Sequence, residues 1–482
     1  MEMTIGVRRR IAKQTQRRAE LTPETMIVAL DLGKRQHAVW VTDSTRIPMG
    51  TWMMPATPQG FATLFDRTAR LQQQFERPHV LFAMEPTGHF WKLAAQQIMD
   101  RGAHYRLVQP LSVRRAREEQ RYTWAKGDRI DAELIATLIA NGTWLEKQLE
   151  TGPWGTWEQV ARTRLHLVQQ RADTLRELLA SIELCFPNYP YLPSGVTQPG
   201  SLAILRSCPT PAQIRHLTPE AFLTRVRAHY AGARFLARRV LRVYHAARST
   251  WGLRAERLAT SLRIPMAVDR YALLTAQVAV MDRHLARLYR ASGAAPLLDT
   301  IPGLGVAMAG TLVALMGPVG RYDRSRCVVR LAGAEPTQNA SGRFRGETPM
   351  SHRGRGQLRL AADQAVMGLV RHNAEFRTRY DWLTTRPKRP LHKIAARIAL
   401  ADKLLRTIYT MLVTRCPYDA SVARGEGQHS RELSRPAWAA WLHFSWAHPD
   451  VKPGPAHPRT PDSGWWEHPE SLLEWDGRAS LE

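Results

Sequence analysis

The sequence is poor in cysteine, in lysine and in long apolar runs. Its 482 residues hold four cysteines, Cys185, Cys208, Cys327 and Cys416, with no Cys-x-x-Cys pair among them. That scatter excludes a disulfide scaffold and a zinc ribbon, and leaves reduced cytosolic thiols as the expectation. One uncharged stretch of twenty residues, Ile301 to Gly320, is broken by Pro302, Pro318 and five glycines. Its continuous apolar part, Val306 to Met316, falls well short of the roughly 20 residues a membrane span needs. Arg8, Arg9 and Arg10 precede no apolar segment of the secretory kind, so a soluble, unexported protein is expected. Acids are also scarce. Lys and Arg number 68 against 42 Asp and Glu, a formal net charge of +26.

That surplus points to a polyanionic partner, nucleic acid before a membrane surface. Only 9 of the 68 bases are lysines. A GC-rich coding sequence and phosphate binding by forked guanidinium groups both produce such a skew, and the two can coexist. The charge is uneven. Residues 418–482 carry 6 basic and 10 acidic side chains, so residues 1–417 carry +30. The body, rather than the tail, is the expected polyanion surface.

At roughly 100–200 residues per domain, this length predicts two to four domains. Residues 1–25 are polar and basic without periodicity, and read as a loose arm. From Met26 the pattern is α/β: Ile27–Leu30 runs into Asp31, His37–Val41 into Asp43, and Val80–Met84 into Glu85. A helical pattern then reaches Met99, and a strand follows over Tyr105–Val108, giving an α/β domain over 26–150. The region 151–298 is helical. Ala161, Val168, Leu175 and Ile182, interleaved with Leu165, Ala172, Leu179 and Phe186, form an a/d seam. Leu274, Val278, Met281, Leu285 and Leu288 repeat it, and either an intramolecular helix pair or a dimeric coiled coil satisfies both. A mostly helical unit over 299–417 and a Trp/Pro-rich tail over 418–482 complete the chain.

The acids that end apolar runs are the first candidates for chemistry. Carboxylates held close together need a cation or a proton to offset their repulsion. Asp31 and Glu85 close two predicted strands, and Asp128 and Asp131, three apart at a helix start, share one helix face. Four converging carboxylates suit a hard divalent ion such as Mg²⁺. Two such ions roughly 4 Å apart can drive phosphodiester displacement. The spacing alone equally fits an N-cap at Asp128, a first-turn acid at Asp131 and a turn cap at Asp31.

A second candidate lies further on. Ile301-Pro302-Gly303-Leu304-Gly305 reads as the turn of a helix-hairpin-helix unit, whose free N–H groups can face a phosphate, or as a plain connection between packed helices. Then Ser341 and Ser351 stand in a field of Arg343, Arg345, Arg353, Arg355 and Arg359, with one acid, Glu347. Serine beside glycine in a loop is an ordinary turn pair. In an arginine field Ser341 is also a candidate nucleophile for a phosphodiester, with Ser351 as second choice.

Four pieces in this order, Ala29-Leu30-Asp31-Leu32-Gly33-Lys34, Ala83-Met84-Glu85-Pro86-Thr87-Gly88, Val108-Gln109-Pro110 and Lys126-Gly127-Asp128 with Asp131-Ala132, resemble the N-terminal domain of DEDD-class insertion-sequence transposases. Gly127 replaces a residue that is often small and polar there. The Pro-Gly hairpin, Asn339-Ala340-Ser341-Gly342-Arg343 and Ala401-Asp402-Lys403-Leu404-Leu405 resemble their C-terminal domain. The likeness covers about half the chain. It implies a RuvC-like, RNase H-like N-terminal fold with Asp31, Glu85, Asp128 and Asp131 on Mg²⁺. It further implies Ser341 as the nucleophile that forms a transient phosphoserine link to DNA, with Gly303, Gly305 and the five arginines on nucleic acid. The implied partners are donor and target DNA, a structured non-coding guide RNA and further copies of the chain, with sites shared between subunits. The implied setting is a bacterial cytoplasm, at the nucleoid. Two competing readings are a Holliday-junction resolvase-like nuclease using only the carboxylates and an inactive nucleic-acid-binding protein.

Overall fold

The run Thr25–Leu32 forms the central strand β1, and Met26 through Leu30 are fully buried on both faces. A computed structural model describes residues 5–86, 88–121, 127–145, 148–192, 195–230, 235, 237–253, 257–337, 340–341, 344–345 and 350–420. It divides into two units, Met1–Glu150 and Thr151–Glu482.

The first unit is a five-stranded sheet. Strands β2 (Gln36–Asp43) and β3 (Pro48–Pro55) extend β1 antiparallel on one side. Strands β4 (His79–Met84) and β5 (His104–Leu107) extend it parallel on the other, giving the order β3-β2-β1-β4-β5. The β1–β2 turn is tight enough to require glycine: a Cβ on Gly33 would lie 2.5 Å from the Gln36 carbonyl oxygen. Helices α1 (Ile5–Ala19), α2 (Pro58–Gln74), α3 (Phe90–Met99), α4 (Pro110–Arg121) and α5 (Asp128–Ala140) surround the sheet. Because side chains alternate along a strand, Met26, Val28 and Leu30 join Phe61 and Leu64 of α2 and Trp91, Ala95 and Ile98 of α3. Ile27 and Ala29 join Val113 and Ala116 of α4 and Leu134, Ile135 and Ile139 of α5 on the opposite face.

Two features differ from the expectation. The presumed loose arm contains α1, where Gln14 donates to the Asn141 carbonyl and Arg17 to the Trp144 carbonyl at 2.8 Å. Those are orphan carbonyls beyond the end of α5, so a tertiary cap orders a segment with no apolar period of its own. Strand β3 escaped the reading because it is a half-buried edge with proline at both ends.

Asp43, which ends β2, accepts hydrogen bonds from the Thr45 N–H (2.9 Å), the Thr45 hydroxyl (2.7 Å), the Ile47 N–H (3.0 Å) and Arg77 (3.4 Å). Burial pushes this carboxyl up, but the four donors together outweigh it and hold it below its ordinary value. A depressed carboxylate stabilises the fold fully above its unfolded pKa of about 3.9, and loses that contribution as pH falls through the lower folded value. Asp43→Asn is therefore expected to cost about 1–2 kcal/mol at pH 7. The deficit shrinks as pH falls below about 3.9 and through the lower folded value, which thermal melts of both proteins across pH will show.

The second unit is helical. α6 (Gly152–Cys185) and α11 (Arg257–Ala291) are 34 and 35 residues long and pack antiparallel within one chain. Arg164 pairs with Asp282 near one end and Arg270 with Glu177 towards the other. The predicted stripe on α11 holds, with Leu274, Val278, Leu285 and Leu288 buried. On α6 the seam slips by one residue: Thr174 and Leu178 are buried, Leu175 and Leu179 half-buried and Ala172 exposed. Between the far ends of the pair lie α7 (Pro199–Ser207), α8 (Pro211–Arg215), α9 (Pro219–Ala228) and α10 (Ala237–Arg248), with their own core around Phe222, Val243 and Tyr244.

At the other end, Trp157 and Leu165 of α6 and Leu285 and Tyr289 of α11 join a larger core. It contains α12 (Ala295–Leu298), α13 (Val306–Met316), α14 (Ser325–Ala332), α15 (Gly356–His372), α16 (Ala374–Thr385) and α17 (Lys393–Thr414). The fold is thus a mixed α/β sheet unit followed by a mostly helical remainder. The tail beyond residue 420, with its six tryptophans, lies outside the described residues. Among the described residues, no helix is long and apolar enough to cross a membrane.

Candidate active site

Three of the four predicted carboxylates, Asp31, Glu85 and Asp131, lie towards one end of the sheet. Leu30 of β1 lies opposite Met84 of β4 in a parallel register; Asp31 is the next residue of β1 and Glu85 the first residue after β4. By alternation both lie on the Ile27, Ala29 and Ala83 face, which α5 covers. Trp144, just past the end of α5, and Thr25, at the start of β1, line one cavity. The last turns of α1, which lead into the start of β1, bond the Asn141 and Trp144 carbonyls just past α5, so α5 runs antiparallel to β1 with its N-terminus towards the Asp31 end.

At that N-terminus Asp131 is only 6 % exposed. The N-cap is Gly127 rather than Asp128, and the Asp131 N–H bonds the Gly127 carbonyl at 3.0 Å. Asp128 occupies the first turn and is exposed. The positive end of the helix dipole favours both acids. Arg117 on α4 reaches across: its Nε donates to Asp131 Oδ1 at 3.0 Å, and its Nη2 donates to the same oxygen. Nothing in the sequence distinguished Arg117 from the other arginines, because its partner lies fourteen residues away on another helix.

The edge is an all-oxygen donor set of the kind that suits a hard divalent ion. Among the described residues, however, no three His, Cys, Asp or Glu side chains are gathered closely enough to hold a metal ion. The carboxylates share an edge and a face, and Arg117 supplies positive charge beside Asp131. Lys126 and Thr87 lie outside the described residues.

In the second unit Ser341 lies in a two-residue strand, β6 (Ala340–Ser341), paired antiparallel with β7 (Phe344–Arg345). Ser341 pairs with Phe344, so the backbone register sets the serine beside the turn. Gly342 and Arg343 lie outside the described residues, as do the side chains of Ser341 and Arg345. The excursion returns through a bridge between Pro336 and Met350.

Its base is a backbone crossing. A Cβ on Gly354 would lie 2.4 Å from the Gly333 nitrogen and 2.5 Å from the Leu331 oxygen, and Gly333 itself has φ +64°. No flexible side chain can yield there. Gly354→Ala is expected to cost about 1–3 kcal/mol and to displace the serine-bearing excursion. A lowered melting temperature together with lost DNA recombination will test it.

The remaining candidates separate into two kinds. Ser351 is a structural group: its Oγ donates to the Gly333 carbonyl at 3.2 Å and its N–H to the Glu335 carbonyl at 2.9 Å. Arg355 donates to the Leu315 carbonyl at 2.7 Å and lies 3.5 Å from Glu158, and Arg359 donates to the Ala332 carbonyl at 2.9 Å. Both arginines thus satisfy carbonyls in the last turns of α13 and α14. Arg353 is exposed. Gly303 has φ +86°, and a Cβ there would meet His372 at 2.9 Å, so the Pro-Gly turn needs glycine. Gly305 caps α13, whose first N–H groups have no carbonyl within the helix.

Residues 28–187 match the family described as Transposase of the DEDD, IS110 type. Residues 295–381 match the family described as Transposase IS116/IS110/IS902 family. No curated protein matches the chain. The first match contains the carboxylate edge and the second the serine hairpin, and a DEDD-type domain brings with it a dependence on divalent metal. With both domains in one chain and in this order, the protein is an insertion-sequence transposase of the IS110 type, an enzyme that cuts and rejoins DNA.

Proposed function

We propose that this transposase exchanges DNA strands through Ser341, with the carboxylate edge of a RuvC-like domain as its metal-binding partner. One observation carries the second half of that reading. Asp31, near the end of β1, and Glu85, just past the end of the adjacent parallel β4, lie at the end of the sheet towards which the first turn of α5 carries Asp131. The order β3-β2-β1-β4-β5, antiparallel then parallel, supports a RuvC-like assignment.

Asp31, Glu85 and Asp131, with Asp128 at the rim, would hold Mg²⁺. When bound, it supplies Lewis-acid polarisation of a phosphodiester oxygen. The protein's own part is to hold the acids at one edge. Arg117 holds Asp131 in place through its bonds to Oδ1.

At the second site the Ser341 Oγ attacks a phosphodiester phosphorus. The serine proton leaves, the bond from phosphorus to the departing sugar oxygen breaks, and that oxygen takes up a proton. A hydroxyl of the incoming strand then displaces the serine, so the link is conserved without an external energy source. Arg343, Arg345 and Arg353 stabilise the charge that develops. The engagement of Ser351 and Arg355 in the base of the excursion favours Ser341 over Ser351 as nucleophile.

Guidance by a structured non-coding RNA and a homo-oligomer with shared sites belong to the same proposal. The +30 on residues 1–417 supports more than one nucleic-acid ligand. Leu262, Met266 and Leu273 stay exposed on α11 beside its seam with α6, which supports a homo-oligomer. Gel-shift assays with donor and target duplexes, with and without RNA transcribed from the element's flanks, test the RNA step. Preference for the target sequence over an arbitrary duplex without any RNA would contradict it.

A further inference from the structure

The four-helix cap at the far end of the α6–α11 pair is unused by either site, and its charge is lopsided. Residues 199–250 contain nine arginines and one acid, Glu220. Elsewhere in this unit, arginines stand beside acids: Arg162 with Glu158, Arg164 with Asp282, Arg176 with Asp173 and Arg270 with Glu177. A coding bias towards arginine does not by itself remove the acids from one subdomain.

The charge is also ordered. Helix α10 buries Val240, Val243, Tyr244 and Ala247 against the cap's core. The same register turns Arg238, Arg239, Arg242 and His245 outward, all exposed. Arg238, Arg242 and His245 are spaced i, i+4 and i+7, so they form one stripe about 10 Å long. Arg225 and Arg227 on neighbouring α9 are exposed as well. Arginine forks grip phosphate oxygens, and no asparagine or glutamine stands in the stripe to read adenine.

The cap is also distant from the serine-bearing core. The larger core ends at Leu165 on α6 and the cap's core begins at Leu178; on α11 the corresponding residues are Leu285 and Val268. At 1.5 Å per residue, the helix pair holds the two cores about 20–25 Å apart, close to the length of seven base pairs.

We propose that this cap is a second, sequence-independent binding surface for double-stranded DNA, held away from the serine-bearing core by the helix pair and gripping the phosphate backbone through the α10 stripe. The contact is independent of the chemistry at Ser341. DNA is the occupant because it is the substrate of a transposase and its charge complements a stripe without acids.

The test uses the full chain and a fluorescent 40-base-pair DNA duplex of arbitrary sequence, with affinity measured from 50 to 200 mM NaCl. The variant is Arg238→Ala, Arg239→Ala and Arg242→Ala together. A control, Arg176→Ala, Arg206→Ala and Arg270→Ala, removes the same charge from arginines that are paired with acids. Three lost phosphate contacts flatten the logarithmic salt slope by about 2.7, so the wild type should lose about 40-fold more affinity over this range than the variant. The control should keep the wild-type slope. A triple Arg→Lys variant at 238, 239 and 242 should restore most of it. Equal slopes for wild type and the α10 variant would overturn the proposal, as would an equal loss in the control. A loss seen with a duplex RNA of the same length but not with DNA would also overturn it.

Discussion

Ser341→Ala is expected to reduce DNA recombination by at least about 10³-fold, because no other group replaces the attacking oxygen. The substitution is conservative for structure. Ser341 is tied to Phe344 through its backbone, and alanine can keep that pairing. DNA affinity should therefore stay within about twofold of wild type, since phosphate contacts rather than a single hydroxyl dominate it. Ser351→Ala should behave differently. It removes the bond to the Gly333 carbonyl at the base of the excursion, a neutral hydrogen bond of about 1 kcal/mol, and should lower stability more than it lowers rate. If strand cleavage survives Ser341→Ala undiminished while recombination products fall, the enzyme cuts with its carboxylates alone, as a junction resolvase does.

The second large effect is at the sheet edge. Glu85→Gln is expected to lower strand cleavage by about 10²–10⁴-fold with little change in folding, because Glu85 is half-buried and lies just past the end of β4. Asp131→Asn should lose comparable activity and also destabilise the unit. Arg117 is left facing a neutral amide, and its side chain is only 20 % exposed. The pair of substitutions thus separates chemistry from packing. A thermal readout adds a metal-specific arm. An ion bound by these carboxylates stabilises the folded state, so millimolar Mg²⁺ should raise the melting temperature of the wild type and not of Glu85→Gln. An identical rise in both proteins would remove Glu85 from the metal site.

Much of the first unit was legible because strong local patterns survive tertiary context. A central strand buried on both faces must read as a continuous apolar run, and an acid at its end stands out against it. Hence Asp31, Glu85 and the helix start at Gly127-Asp128 could all be located from sequence. Other features depend on partners remote in the chain. The ion pair from Arg117 to Asp131 leaves no periodic trace, and α1 is ordered by carbonyls more than a hundred residues away. The arginine field illustrates the limit best. Arg353, Arg355 and Arg359 look alike in sequence, yet two of them bond helix carbonyls and only Arg353 is exposed. The α6 seam slipped for a similar reason. A helix that joins two separate cores can change the face it buries along its length, which a single heptad register does not anticipate.

The central claim, a covalent link between DNA and Ser341, is tested most directly by trapping. The full-length protein is incubated with a donor duplex and Mg²⁺, denatured, digested with nuclease and protease, and its peptides are analysed by mass spectrometry. A nucleotide-phosphate mass on the peptide containing Ser341, absent in Ser341→Ala and in Glu85→Gln, is the predicted result. DNA cut to completion with no adduct, or with the adduct on any other residue, would contradict it.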